Sequence, residues 1–377
     1  DALAAQGARW TDMHTPSAVS TPSRYGVLTG RYAWRSRLPY GVLYGYEPPL
    51  IEPDRATLAT LLRSAGYRTA CIGKWHLGMS FRAKAGAEVD FGAPLPWKSV
   101  DTQLEQRIDI DAPILDGPRS RGFDHFFGTA GCSTAQPPFA FIEEERFVEA
   151  PTEFRDRIHF TGRPGLHAPS WDHSQADPTF ASRAVSWIHD AARSDDPFFL
   201  YLAASAPHEP CLEATVPEFA RGKSAAGHRG DLVWLFDWML GEVLSALRQT
   251  GRADNTMVIV TSDNGALPGD RISGREDILG YALYDHLSCG SWRGYKAHIW
   301  EGGHRVPFLV APAGETAACA PAVVERPACL TDLYATLGAV CGAESVVTGV
   351  PGSAGDSEDL SAEQGFAAWG NREAAPT

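Results

Sequence analysis

The sequence predicts an α/β fold in which a mostly parallel central sheet is flanked by helices. Three times a helical pattern is followed by a short apolar run: residues 54–66 then 67–72, 177–191 then 197–204, and 232–247 then 257–260. Strands that are apolar on both faces and separated by helices mark a parallel sheet covered on both sides. Lys74, His76, His208, Asp263 and Asn264 all fall just after those runs. Open parallel sheets bind their ligands at those carboxyl ends.

Taken in order, residues 1–10 (DALAAQGARW) read as the end of a helix that closes on Gly7. The stretch Ser17–Arg31 then concentrates the most chemistry in the fewest residues. Thr21 suits an N-cap and Pro22 the first helical position, so a short helix is expected just after Ser20, with Tyr25, Val27 and Leu28 on its apolar face and Gly30 as its end. Its free N–H groups and positive dipole end would face whatever Ser20 binds, and Arg24, one turn in, could add a bidentate cation. That geometry suits a tetrahedral oxyanion.

Residues 32–53, rich in Tyr, Pro and Gly, read as a surface loop. A helix with Leu58, Leu61, Leu62 and Ala65 on one face stops at Gly66, and Tyr67–Ile72 is a strand that delivers Gly73-Lys74-Trp75-His76-Leu77-Gly78. Alternation puts Lys74 and His76 on one side of an extended backbone. Residues 80–176 have few periodic runs, and His125, His167 and His173 there read as ordinary loop histidines. The helix from Asp177 carries Phe180, Ala184, Trp187, Ile188 and Ala191 on one face; the strand 197–204 leads to Ala206-Pro207-His208-Glu209-Pro210. The longest helix, with Leu232 to Leu247 on its apolar face, closes on Gly251, and the strand 257–260 ends in Thr261-Ser262-Asp263-Asn264-Gly265. One more strand, 308–311, and one more helix, 331–340, precede a Gly-, Ser-, Ala- and acid-rich segment from about 345.

A chain of 377 residues with 44% hydrophobic content can fill one large core, alone or with a small appendage. A net charge of −13 and a pI near 5.4 argue against nucleic acid or an anionic membrane as partner, while leaving room for a basic pocket. No apolar run approaches the roughly 20 residues of a membrane span. The seven cysteines have no zinc-type spacing and decide nothing about compartment.

Ser20-Thr21-Pro22-Ser23-Arg24 followed by Leu28-Thr29-Gly30-Arg31 resembles the signature of the type I sulfatases, [C/S]-x-P-S-R-x4-T-G-R. Gly73–Gly78 is similar to that family's second motif, and Trp292-Arg293-Gly294-Tyr295-Lys296 with Trp300-Glu301-Gly302-Gly303-His304-Arg305-Val306-Pro307 is similar to a third segment. RGFDHFFG at 121–128 resembles a loop near the substrate cleft.

The resemblance implies an alkaline phosphatase-like sulfatase fold, with residues 1–344 as the catalytic domain and 345–377 as a remnant of a C-terminal subdomain or a flexible tail. Family members place an earlier strand, bearing a metal-binding Asp pair, ahead of a segment like residues 1–10, so the first strand is expected to be missing here. In that family the first residue of the signature is oxidised to formylglycine, so Ser20 would be either a Ser-type precursor for a formylglycine-generating maturation enzyme or a Ser standing in place of the more usual Cys. Asp263 and Asn264, with the oxygen at position 20, would form half of a Ca²⁺ site. One hydroxyl of the formylglycine hydrate would attack sulfur while Ca²⁺, Lys74, His208 and Lys296 spread the charge. Arg24 and His76 would hold the nucleophile, His208 or Lys296 would protonate the leaving alcohol, and the second hydroxyl would expel sulfate.

The substrate implied is a sulfated saccharide and the location periplasmic or secreted. The alternatives are a phosphate-ester hydrolase of the same superfamily and a truncated relative that binds anions without turnover.

Overall fold

The structure, a computed structural model, describes residues 1–91, 102–158, 162–267, 284–314, 321–343 and 355–370. Its strands are β1 (Ala8–Trp10), β2 (Met13–His14), β3 (Arg68–Lys74), β4 (His125–Thr129), β5 (Ile142–Glu143), β6 (Arg146–Phe147), β7 (Glu153–Arg155), β8 (Gly165–His167), β9 (Phe198–Ala203), β10 (Met257–Thr261), β11 (Phe308–Pro312), β12 (Ala322–Val324) and β13 (Ala328–Cys329). The α-helices are α1 (Ser20–Thr29), α2 (Leu58–Ser64), α3 (Thr102–Arg107), α4 (Ala176–Ala191), α5 (Gly227–Gln249), α6 (Glu301–His304), α7 (Leu333–Val340) and α8 (Ala367–Gly370).

The three helix–strand repeats appear where the periodicity puts them, as α2–β3, α4–β9 and α5–β10. Thr57 starts α2 with a reciprocal cap: its hydroxyl accepts from the Thr60 N–H at 3.1 Å, and the Thr60 hydroxyl accepts from the Thr57 N–H at 2.8 Å. One sheet runs β6–β5–β4–β3–β9, parallel across β4, β3 and β9 and antiparallel at β5 and β6. A second runs β10–β11–β1–β12, in which β11 is antiparallel to both neighbours and β1 is parallel to β12. The α/β architecture is therefore built on mixed sheets: the repeat strands β3 and β9 run parallel, with β4 added beside β3, whereas the repeat strand β10 pairs antiparallel with β11.

β9 and β10 end their respective sheets and share both core clusters. Phe199, Tyr201, Met257 and Ile259 pack on one, while Phe198, Leu200, Leu202 and Val258 pack on the other. Alternate residues of both strands thus face the same two clusters, so the two sheets lie in one layer and bring the ends of β3, β9 and β10 to the same side of the molecule.

Two expectations are corrected. Residues 1–10 do not end a helix: residues 2–6 form turns and 8–10 form β1, whose Ala8 and Trp10 are buried between β11 and β12. Three consecutive small and polar residues before Gly7 look helical locally, but burial on alternate residues with pairing on both edges favours the strand. The segment after 345 is not a loose tail over its described part. Leu360 and Phe366 are 1% and 0% exposed, and Phe366 meets Trp10 and Phe308 edge-on or tilted at about 6 Å between ring centroids. The 344/345 boundary itself lies outside the described residues.

Candidate active site

Ser20 is 3% exposed and is the first residue of α1, two positions ahead of the expected first helical residue Pro22. Thr21 is not the cap. Its hydroxyl donates to the His76 carbonyl at 3.0 Å and accepts from the Leu43 N–H at 3.1 Å, so it serves the neighbouring loops, and Val19 takes the capping position without a side-chain bond. Ser20 is thereby held at the positive end of the helix itself. The apolar face of α1 is as expected, with Tyr25 and Leu28 fully buried, and Gly30 ends the helix at φ 63°, a left-handed conformation that suits glycine.

Around the Ser20 hydroxyl stand a donor and an acceptor. The Lys74 ammonium donates to Oγ at 3.3 Å, and Oγ donates to Asn264 Oδ1 at 3.4 Å, both at the long end of hydrogen bonding. The Asn264 amide is oriented by donating its own N–H to the Gly265 carbonyl at 3.0 Å. Arg24 grips Asp263 Oδ2 through Nε and a terminal nitrogen, each at 2.9 Å, and donates to the Lys74 carbonyl at 2.7 Å. Burial pushes Asp263 up, but Arg24, Lys74, Ser20 and Lys296 outweigh it and hold the carboxyl well below the usual carboxylate range. Burial pulls Lys74 down to about 8, with Arg24 and Lys296 adding to the fall against Cys132 and Asp263. Lys74 still carries its proton at neutral pH.

His76 does not continue an extended backbone from Lys74. Its φ is 58°, so the expected alternation fails, and the chain turns back instead, with its N–H donating to the Ala130 carbonyl at 3.0 Å. The ring Nε2 lies 2.8 Å from the Leu43 carbonyl and so must carry the proton, which leaves Nδ1 a bare acceptor, buried and without a partner among the described residues. Burial first, then Lys74 and Arg24, holds this imidazole well below its ordinary value, so it is neutral.

A second group forms at the end of β9. The Lys296 ammonium donates to His208 Nε2 at 3.0 Å, and His208 Nδ1–H faces the Glu209 carbonyl at 2.6 Å. Glu209 adds a carboxylate 3.8 Å from Lys296. Sequence reasoning missed Cys132, whose sulfur is 3.2 Å from His208 Nδ1; burial pushes its thiol up, but His208 and Lys74 outweigh burial and hold it well below its usual value. Nothing in its local sequence points to the site, because only the β4 loop brings it to His208.

Asp177 was also read only as a helix start. It is buried and accepts from the N–H groups of Ser205 and Ala206 at 2.7 and 3.0 Å, fixing the turn that presents His208. Burial outweighs those two bonds and raises its carboxyl from 3.8 to about 6. Between those values the folded chain binds the proton more tightly than the unfolded chain, so Asp177 takes stability away as pH rises from about 4 to about 6. An Asp177→Asn variant, which has no such titration, is expected to gain on the wild type across that window by up to ~3 kcal/mol, read from urea unfolding at several pH values. A difference that stays flat with pH overturns this assignment.

Asp263, Asn264 and the oxygen of residue 20 are hard oxygen ligands of the kind calcium takes, but they are three where calcium takes six to eight, and one Asp263 oxygen already accepts twice from Arg24. Among the described residues the set fits in kind and is incomplete in number. Of the three histidines read as loop residues, His125 begins β4 and pairs with Glu144 at 2.6 Å, His167 ends β8, and His167 and His173 both pack against Phe139. A cavity of about 350 Å³ lined by Arg68, Asp124, His125, Glu144, Arg183 and Asp190 opens at the opposite ends of β3 and β4 and includes none of Ser20, Arg24, Lys74, His76, His208, Asp263, Asn264 and Lys296.

A family model described as Sulfatase matches residues 1–343. The chain is 30% identical over 329 residues to an N-acetylgalactosamine-6-O-sulfatase of Bacteroides thetaiotaomicron, covering 82% of this chain and 61% of that protein. It is 31% identical over 355 residues to arylsulfatase A of Homo sapiens, covering 91% and 59%. The chain thus spans about three fifths of the length of these relatives. A solved structure from work on the metabolism of multiple glycosaminoglycans by Bacteroides thetaiotaomicron superposes with a TM-score of 0.77 at 26% identity, covering 96% of this chain and 74% of that one.

Proposed function

The chain belongs to the sulfatase family, and from that premise we propose that it hydrolyses the sulfate ester of a sulfated carbohydrate, with a formylglycine formed from Ser20 as nucleophile. One observation carries the reading: the Ser20 hydroxyl sits at the positive end of α1 with Lys74 at 3.3 Å and Asn264 at 3.4 Å. The carbohydrate part rests on the similarity to an N-acetylgalactosamine-6-O-sulfatase and to a structure from glycosaminoglycan metabolism. Arg24, Lys74 and Lys296 set three cations beside the carboxylates of Asp263 and Glu209 and the Cys132 sulfur, so an anionic ester would meet concentrated positive groups inside an acidic protein.

In this mechanism one hydroxyl of the hydrated aldehyde attacks sulfur and the bond from sulfur to the sugar oxygen breaks. Lys74 stabilises the sulfuryl oxygens, and the Lys296–His208 pair, which already shares a hydrogen bond, delivers a proton to the departing alcohol. The unpartnered, neutral Nδ1 of His76 is fit to take the proton of the second hydroxyl as the carbonyl re-forms and sulfate leaves. A calcium ion, where bound, would be held by Asp263, Asn264 and the oxygen of residue 20, and would neutralise charge on the sulfate. A maturation enzyme that oxidises Ser20, and a periplasmic or secreted location, go with this proposal.

Sulfate release from a panel of sulfated saccharides, run beside phosphate esters, tests the reaction class. Release of sulfate but not phosphate supports it, and the reverse favours the phosphatase alternative. Binding of the saccharides without turnover of either ester favours the non-catalytic one. Within the reading, His208→Ala is expected to slow hydrolysis of a sugar sulfate by roughly 10²–10⁴-fold and that of nitrophenyl sulfate far less, because a good leaving group needs no proton. Equal losses on both substrates would remove His208 from the acid role.

A further inference from the structure

The geometry points to a second metal site, on His14, His304 and Glu301, that binds a divalent transition metal of the zinc class. The ligating atoms of the three side chains lie within 4.8 Å of one another, and all three residues are partly exposed. His14 ends β2 and His304 ends α6.

The decisive feature is the contact between the two imidazoles. His14 Nε2 lies 2.8 Å from Asp12 Oδ1, a carboxylate that can only accept, so this nitrogen carries the proton. His304 Nε2 lies 2.9 Å from the Ile299 carbonyl and is protonated for the same reason. In the neutral rings both Nδ1 atoms are therefore bare lone pairs, yet they face each other at 2.8 Å. Two acceptors at that distance repel unless a cation lies between or beside them.

An imidazole whose far N–H is fixed by a carboxylate or a backbone carbonyl is the usual arrangement of a metal-bound histidine. An ion about 2.1 Å from both nitrogens, an ordinary zinc–imidazole distance, fits their separation at roughly a right angle, and a slight opening of the rings brings it to tetrahedral. Glu301 supplies the third ligand of a two-histidine, one-carboxylate set with an open position. The local charge suits a dication, since Arg305 is held by both Asp12 at 3.2 Å and Glu301 at 2.9 Å, leaving one surplus negative charge.

The ion would also join two segments of the candidate active site. The Thr15 N–H donates to the His304 carbonyl and the Ala297 N–H to the Ala18 carbonyl, so the strip carrying Ser20 and the loop carrying Lys296 already meet here. Two imidazole nitrogens set this site apart from the oxygen donors at Asp263 and Asn264.

The test is titration of metal-stripped full-length chain with Co²⁺, read by visible absorption, and with Zn²⁺, read as bound metal per chain, both in excess Ca²⁺ to fill oxygen sites. One ion per chain is expected. It should be lost in His14→Ala/His304→Ala and weakened about 10–100-fold in Asp12→Asn, which removes the carboxylate charge behind His14 and beside Arg305 but none of the three ligands. A thermal shift with Zn²⁺ confined to the wild type gives a separate readout. Should the double variant not fold, Asp12→Asn and Glu301→Gln decide. No binding by the wild type, or binding undiminished by these changes, overturns the site and leaves a proton as the cation between the rings.

Discussion

Ser20→Ala is expected to lower sulfate-ester hydrolysis by at least ~10³-fold, the scale on which enzymes fail when a covalent nucleophile is removed. The hydroxyl lies between the Lys74 ammonium and the Asn264 oxygen, so its loss removes the atom on which the site converges while leaving the cations in place. Sulfate ion should therefore still bind, and the split between lost turnover and retained anion binding separates a missing nucleophile from a collapsed site. Mass spectrometry of the peptide that contains Ser20 should show the loss of two hydrogens in chain made by its native host. Unmodified serine there, together with full activity, would remove formylglycine from the mechanism. Unmodified serine that stalls as a sulfated enzyme would leave Ser20 as the nucleophile without its means of release.

Arg24→Ala should be the most damaging single change to stability, at about 3–5 kcal/mol. Arg24 is 7% exposed and makes a two-pronged contact with Asp263, which is itself only 24% exposed. Truncation strands a mostly buried carboxylate beside the site and removes the donor to the Lys74 carbonyl at the end of β3. Arg24→Lys keeps the charge but not the fork, so it should recover only part of the loss. Urea unfolding of the two variants checks the ranking. A cost for Arg24→Ala below 1 kcal/mol would mean that water already reaches Asp263 freely.

The α2–β3, α4–β9 and α5–β10 repeats were readable because each is local: an apolar helical face, a stop signal, and then a run of residues apolar on both sides. The sequence of residues 1–10 misleads for the same reason, since a three-residue strand such as Ala8–Trp10 has too little internal pattern and exists through β11 and β12, about 300 residues away in the chain. His76 shows the same limit at one residue. Its identity was evident from the motif, but its left-handed backbone comes from the Thr21, Leu43 and Ala130 contacts.

The amino-acid order was enough to point to the sulfatase family. Ser20, Arg24, Lys74, His76, His208, Asp263, Asn264 and Lys296 stand in motifs or at strand ends, and residue type with local spacing is written directly in the chain. Which of them touch is a different matter. The Lys74–Ser20, Arg24–Asp263 and Lys296–His208 contacts span 54, 239 and 88 residues. So do the roles of residues outside any motif: Cys132 beside His208, Asp177 beneath the His208 turn, and His14 opposite His304. Contacts at such separations follow from how the strands share one layer and from the proton placement each hydrogen bond enforces, and both exist only once the chain has folded.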